Sequence, residues 1–82
     1  MNLTQASKAM FLDFAYWAPH YNGYAMVDVL TNAEKGNLTD LKKKGLLQTD
    51  ESDGIEWVQF TKKGIELLVK YGVSPEGIEV RN

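Results

Sequence analysis

Four lysines (Lys35, Lys42, Lys43 and Lys44) and one aspartate lie between Lys35 and Gln48, a locally basic stretch suited to neutralising phosphate. Just beyond it, Asp50, Glu51, Asp53 and Glu56 crowd a short segment, and no lysine or arginine occurs between Gly45 and Thr61. Clustered carboxylates suggest calcium, but the spacing of a calcium loop, with its central glycine and terminal glutamate, is missing. A solvated turn is the better reading. His20 is the single histidine, which excludes a histidine-rich metal site, and its place after Pro19 suggests a partly exposed loop residue. The chain has no cysteine, hence no disulfide, thiolate ligand or cysteine nucleophile. No glycine-rich phosphate loop and no nucleophile–base pair stands out. These residues point to recognition without catalysis, metal or cofactor.

Two apolar features compete for a binding role. Phe11, Phe14, Tyr16, Trp17, Tyr21 and Tyr24 could line a ligand pocket. A domain this small needs its largest side chains for its core, so core is the favoured reading. Further on, if Val58 and Phe60 point inward along a strand, Ile55, Trp57 and Gln59 point outward. Ile55 and Trp57, with Leu47 beside them, would then form an apolar patch of the kind that marks a partner surface. The alternative, slightly favoured, is that the segment from Val73 to Val80 folds back over them.

The 82 residues, with 9 basic and 11 acidic side chains and a net charge of −2, allow one domain with a modest core. An apolar content of 44 % and a charged content of 24 % fit a globular chain and not a disordered one. No apolar run is long enough to cross a membrane and no leader is evident, so a cytoplasmic location is expected. The near balance of charge argues against strong indiscriminate binding of nucleic acid.

The elements that must position these groups follow from local signals. Thr4 caps a helix to Ala18, striped by Ala6, Met10, Phe14 and Trp17 and widened by Phe11, Leu12, Ala15 and Ala18. Pro19 stops it. After a turn at Asn22-Gly23, residues Ala25 to Leu30 read as a short second helix, although Val27 and Val29 would also suit a strand. Thr31-Asn32 closes it. Asn37 to Lys44 forms the next helix, with Leu38 and Leu41 inward and Gly45 at its end; a start near Ala33 is the alternative. Leu46 to Thr49 and Ile55 to Phe60 make a hairpin around Asp53-Gly54. Thr61 caps a last helix to Tyr71, with Ile65, Leu68 and Val69 inward, and Gly72 ends it. Residues 1–72 are thus the domain and 73–82 a tail able to add a short strand.

This order resembles a winged helix-turn-helix domain. The likeness is carried by Leu41-Lys42-Lys43-Lys44-Gly45-Leu46-Leu47, then by Val58-Gln59-Phe60-Thr61-Lys62-Lys63-Gly64 and Ile65-Glu66-Leu67-Leu68, spanning roughly Asn37 to Val69. It is similar to MarR-type and related small winged-helix regulators, where a recognition helix enters a wing and a threonine caps the helix beyond it. The resemblance implies an α+β fold of three helices, a two-stranded wing, a closing helix and the tail. It also implies a transcription regulator whose third helix enters the major groove of double-stranded DNA. Asn37, Thr39 and Asp40 would then face bases, with Lys35, Lys42, Lys43 and Lys44 on phosphates.

MarR-type proteins dimerise through extra terminal helices, for which a chain holding one winged helix leaves no room; a small dimer through wing or tail remains open. The acidic wing departs from the family's pattern, because phosphates repel it. A second expectation therefore stands beside the first: a protein-interaction module, an accessory or phage-type regulatory protein, using Leu47, Ile55, Trp57 and the acidic tip.

Overall fold

A two-stranded hairpin organises the molecule. The computed structural model describes residues 3–27 and 30–81. Helix α1 (Gln5–Trp17) runs into a 3₁₀ turn (Ala18–Tyr21), followed by strand β1 (Ala25–Met26) and helix α2 (Asn32–Lys43). Strands β2 (Leu47–Ser52) and β3 (Ile55–Thr61), helix α3 (Lys62–Lys70) and strand β4 (Val80–Arg81) complete the described elements. The result is a small α+β fold, with helices packed against one face of a mainly antiparallel sheet.

Most chain reversals sit where local chemistry demands them. The Thr4 hydroxyl accepts the Ser7 amide at 3.1 Å and opens α1. At the end of α2, Leu46 N–H donates to Leu41 O and Gly45 N–H to Lys42 O, a Schellman closure that Gly45 permits at φ +74°. Asp53 and Gly54, at φ +56° and +77°, form the two-residue turn of the hairpin. Positive φ at both positions matches the right-handed twist of the strands. The turn is tighter than the sequence suggested: β2 continues through Asp50 and Glu51 to Ser52, which pairs with Ile55.

The expected helix at Ala25 to Leu30 is corrected. Ala25 and Met26 form a strand, paired antiparallel with Val58 and Trp57, while Asp28 and Val29 lie outside the described residues. So short an apolar run has weak intrinsic preference, and the open edge of β3 supplies hydrogen-bond partners that a one-turn helix would lack. Val27 N–H extends the pairing to Glu56 O at 2.8 Å. Thr31, expected to end that segment, instead begins α2 through a capping box with Glu34. The earlier start, carrying Gly36 inside the helix, is the one adopted.

The core gathers Phe11, Leu41, Leu46, Leu47, Val58, Phe60 and Leu68, all essentially inaccessible. Phe11 meets Phe60 at 5.4 Å between ring centroids, in a tilted arrangement. The buried side of α1 is Ser7, Phe11, Phe14 and Ala15; Ala6 and Trp17 face outward, so the expected stripe is rotated. Ser7 takes a core position because its hydroxyl has a partner on α2. In α3, Leu67 and Leu68 face inward, whereas Val69 is 57 % exposed.

The tail adds β4 parallel to β3, with Val80 opposite Phe60 and Arg81 opposite Thr61. β2 occupies one edge of β3, and β1 and β4 share the other. Ile78 is buried in the core. The tail therefore runs along the sheet edge and does not fold over Ile55 and Trp57.

Candidate functional site

Two surfaces bring chemistry-bearing side chains together. The first is the outward side of α2. Lys35, Thr39 and Lys42 recur at helical spacing and line a cleft of about 450 Å³ with Val27, Leu30, Leu38 and Glu56. Lys43 is also exposed, and Asn37 is half-buried. The Thr39 hydroxyl donates back to Lys35 O at 2.9 Å.

Asp40 does not join this face. It accepts a hydrogen bond from Ser7 Oγ of α1 at 3.3 Å and is ion-paired with Lys44 one turn on. The Lys44 hydrogen bond, outweighing partial desolvation, holds the Asp40 carboxyl below the ordinary aspartate range. The expected base-facing role of Asp40 is therefore corrected: its oxygens are committed within the domain, and Lys44 is committed with it. Of the residues expected at DNA, Lys35, Thr39, Lys42 and Lys43 remain together on an open face. Glu56 stands on the opposite wall of the cleft.

Charge is also segregated along the hairpin. Lys42, Lys43, Lys44, Lys62 and Lys63 flank its base, next to the Leu47–Phe60 pair, and Asp50, Glu51, Asp53 and Glu56 flank its tip. At a rise of ~3.4 Å per residue the two ends are about 17 Å apart.

The second surface is the outer face of the sheet. Ile55, Trp57 and Gln59 point outward as the alternation requires, since Val58 and Phe60 are fully buried. Leu47 does not join them, because it stands opposite Phe60 on the inner face and is buried. A one-residue offset in strand register separates the two faces, and β2 begins at Leu47.

What accompanies Trp57 is a run of rings that sequence reasoning assigned to the core. Trp17 packs edge-on to Tyr16 at 5.1 Å, His20 lies against both, and Tyr21 bridges Trp17 to Trp57 at 6.4 and 6.1 Å. Tyr16 is 64 % exposed and Trp17 44 %. The expected aromatic core thus divides: Phe11 and Phe14 are buried, while Tyr16, Trp17 and Tyr21 are at the surface. The physical cause is the chain reversal at Pro19. Beyond Trp17 the 3₁₀ turn sets His20 against Tyr16 and Trp17, and Tyr21 against Trp57 on the outer face of the sheet. The i+4 spacings Tyr16–His20 and Trp17–Tyr21 across the proline were the available signal.

Two open clefts share Tyr21 as a common wall. One, of about 400 Å³, is lined by Tyr24, Trp57, Asn22, Asp50 and Gln59; the other, of about 320 Å³, by Asp13, Trp17 and Met26. Arg81 of β4 reaches the margin of the first, donating to Gln59 Oε1 at 2.7 Å and lying 3.7 Å from Asp50. Among the described residues no group of three or more histidine, cysteine, aspartate or glutamate side chains could hold a metal, and no helix is long and apolar enough to cross a membrane. Compared with protein-family models, curated proteins and solved structures, the chain matches none.

Proposed function

We propose that this domain is a protein-interaction module of winged-helix type that binds its partner through the aromatic outer face of the sheet. Support for the winged-helix reading comes from a helix ended by Gly45, a hairpin, and a helix started by Thr61; strand β1 stands where the second helix of that fold was expected. In that reading the hairpin is the wing and α2 stands where the recognition helix would be. The observation that carries the function is the ribbon Tyr16, Trp17, His20, Tyr21 and Trp57, each ring touching another along the run, with all but the half-buried Trp57 exposed. Aromatic side chains dominate the energetics of protein interfaces, and a chain of 82 residues gains most by burying them.

The test is capture of a partner from an extract of the source cells by three forms of the protein. Wild type and Lys43→Glu retain the same defined partner, whereas the Tyr16→Ser/Trp17→Ser double variant loses it. Equal capture by all three, or loss with Lys43→Glu, overturns the reading.

A second reading, double-stranded DNA along α2, draws on the exposed Lys35, Thr39, Lys42 and Lys43. Against it stand Glu56 on the cleft wall, the committed Asp40 and the carboxylates at the wing tip. Fluorescence anisotropy with a short duplex at ~20 mM salt, where screening is weak, separates the two. Under the leading reading there is no saturable binding; binding that Lys43→Glu and added salt both weaken would establish the DNA reading.

A further inference from the structure

Resting on the interaction-module reading, we infer that the paired clefts around Tyr21 take a proline-rich peptide carrying a basic residue.

Three observations converge on this occupant. The first is shape. Two shallow clefts, walled by Trp17, Tyr21, Tyr24 and Trp57, lie side by side with the Tyr21 ring between them. A polyproline II helix has three residues per turn and a solvated backbone, so it projects successive ridges of ring methylenes without needing a strand edge to pair with. Aromatic ribs separated by clefts are the surface such ridges fit. Both sides of β3, the strand that carries Trp57, are already paired, with β2 on one and β1 and β4 on the other, so no strand adds to β3 itself.

The second is charge. Each cleft has a carboxylate on its wall, Asp13 in one and Asp50 in the other. Asp53 at the hairpin turn adds to this charge, whereas Glu51 and Glu56 face the α2 side of the hairpin, and no lysine or arginine lies between Gly45 and Thr61. This sign excludes phosphate-bearing strands and favours a cationic segment.

The third is Arg81. Its guanidinium donates to Gln59 and faces Asp50, so the margin of the Tyr24–Trp57 cleft already holds an arginine supplied by the chain itself. The contact is exposed, with 49 % and 62 % of the two charged side chains accessible, and is therefore weak and exchangeable. It also occupies the amide and carboxylate that an oligosaccharide stacked on Trp57 would need. A partner's arginine replaces Arg81 like for like, and the tail competes with the ligand for Asp50.

That competition gives the test opposite signs at two positions. The probe is a synthetic peptide with two Pro-x-x-Pro turns and a terminal arginine, followed by emission of Trp17 and Trp57, the only two tryptophans in the chain. Binding is saturable. It weakens about two- to fivefold in Asp50→Ala, the loss expected for one exposed charge pair, and tightens in Arg81→Ala. Tyr24→Ala abolishes it, and the exposed Tyr21→Ser does the same without touching the core, which covers the case in which Tyr24→Ala unfolds. Two control peptides, with proline replaced by alanine or arginine by glutamate, bind at least several-fold more weakly.

Equal binding of the alanine peptide, indifference to Asp50, or saturable binding of a linear oligosaccharide in place of the peptide overturns the inference. Should no peptide bind while Tyr16→Ser/Trp17→Ser still loses its captured partner, the peptide inference falls and the interaction module stands. Should capture also be indifferent to that double variant, both fall.

Discussion

The Thr61 hydroxyl closes the corner between sheet and helix by itself. It accepts the Gly64 amide at 3.0 Å and donates to Gly45 O at 2.6 Å, with Leu46 O at 3.1 Å. Thr61→Val keeps the shape and removes these bonds, so a cost of about 1–2 kcal/mol is expected, read as a lower urea midpoint; Thr61→Ser restores most of it. Asp40 is the other residue whose partners are defined. Its carboxyl titrates below the ordinary aspartate value because Lys44 donates to it, with Ser7 adding a second hydrogen bond. The folded state therefore binds its proton less readily than the unfolded chain does. The contribution of Asp40 is present in full above the unfolded-state pKa and is lost as pH falls through the lower folded-state pKa. Urea midpoints measured from neutral pH into the acid range should fall less steeply in Asp40→Asn than in wild type over that acid window, and the two should run parallel above it.

Elements were legible where a single side chain or turn sets their boundary. Thr4, Thr61, Gly45 and the Asp53-Gly54 turn each act within a few residues, and each stands where its chemistry requires. Ala25 and Met26 were not legible, because a two-residue strand exists only by virtue of its partners on β3. Two glycines show how the same residue type carries opposite weight in two helices. In α2, Gly36 has nothing within 4 Å of where a Cβ would stand and lies in an exposed helix interior. Gly36→Ala should stabilise the domain by about 0.5–1 kcal/mol. In α3, a Cβ at Gly64 would lie 2.2 Å from Leu46 O, so helix and hairpin base approach through that glycine. Gly64→Ala should destabilise by about 1–3 kcal/mol as the two are forced apart. Thermal unfolding of the pair checks both signs in one experiment.

At the scale of the molecule, lysines gather at one end of the hairpin and carboxylates at the other, and the aromatic ribbon crosses the outer face of the sheet. A net charge of −2 conceals this arrangement. Because Tyr16 and Trp17 stand outside the core but pack on His20 and Tyr21, Tyr16→Ser/Trp17→Ser should lower the unfolding free energy by no more than about 1–2 kcal/mol. A larger loss in chemical denaturation would assign these rings to stability and weaken their assignment to recognition. The charge of the wing tip was legible from composition alone, since no base lies between Gly45 and Thr61 to offset it. The aromatic surface was not, since a buried ring and an exposed ring look alike in a sequence.

The sequence by itself determined where helices α1 and α3 are capped, where α2 stops at Gly45, where the hairpin turns, and which hairpin residues alternate inward; the Thr31 cap of α2 was not among these. These depend on contacts closed within one turn, so local chemistry suffices. Tertiary structure alone decided that Ser7 is buried, since its partner Asp40 lies 33 residues away, and that residues 25 and 26 pair with β3. It also decided that the rings flanking Pro19 meet Trp57 on the outer face of the sheet and not the core. Tyr21 and Trp57 are far apart in the chain, and only the direction in which the 3₁₀ turn returns it to the sheet brings them within 6.1 Å.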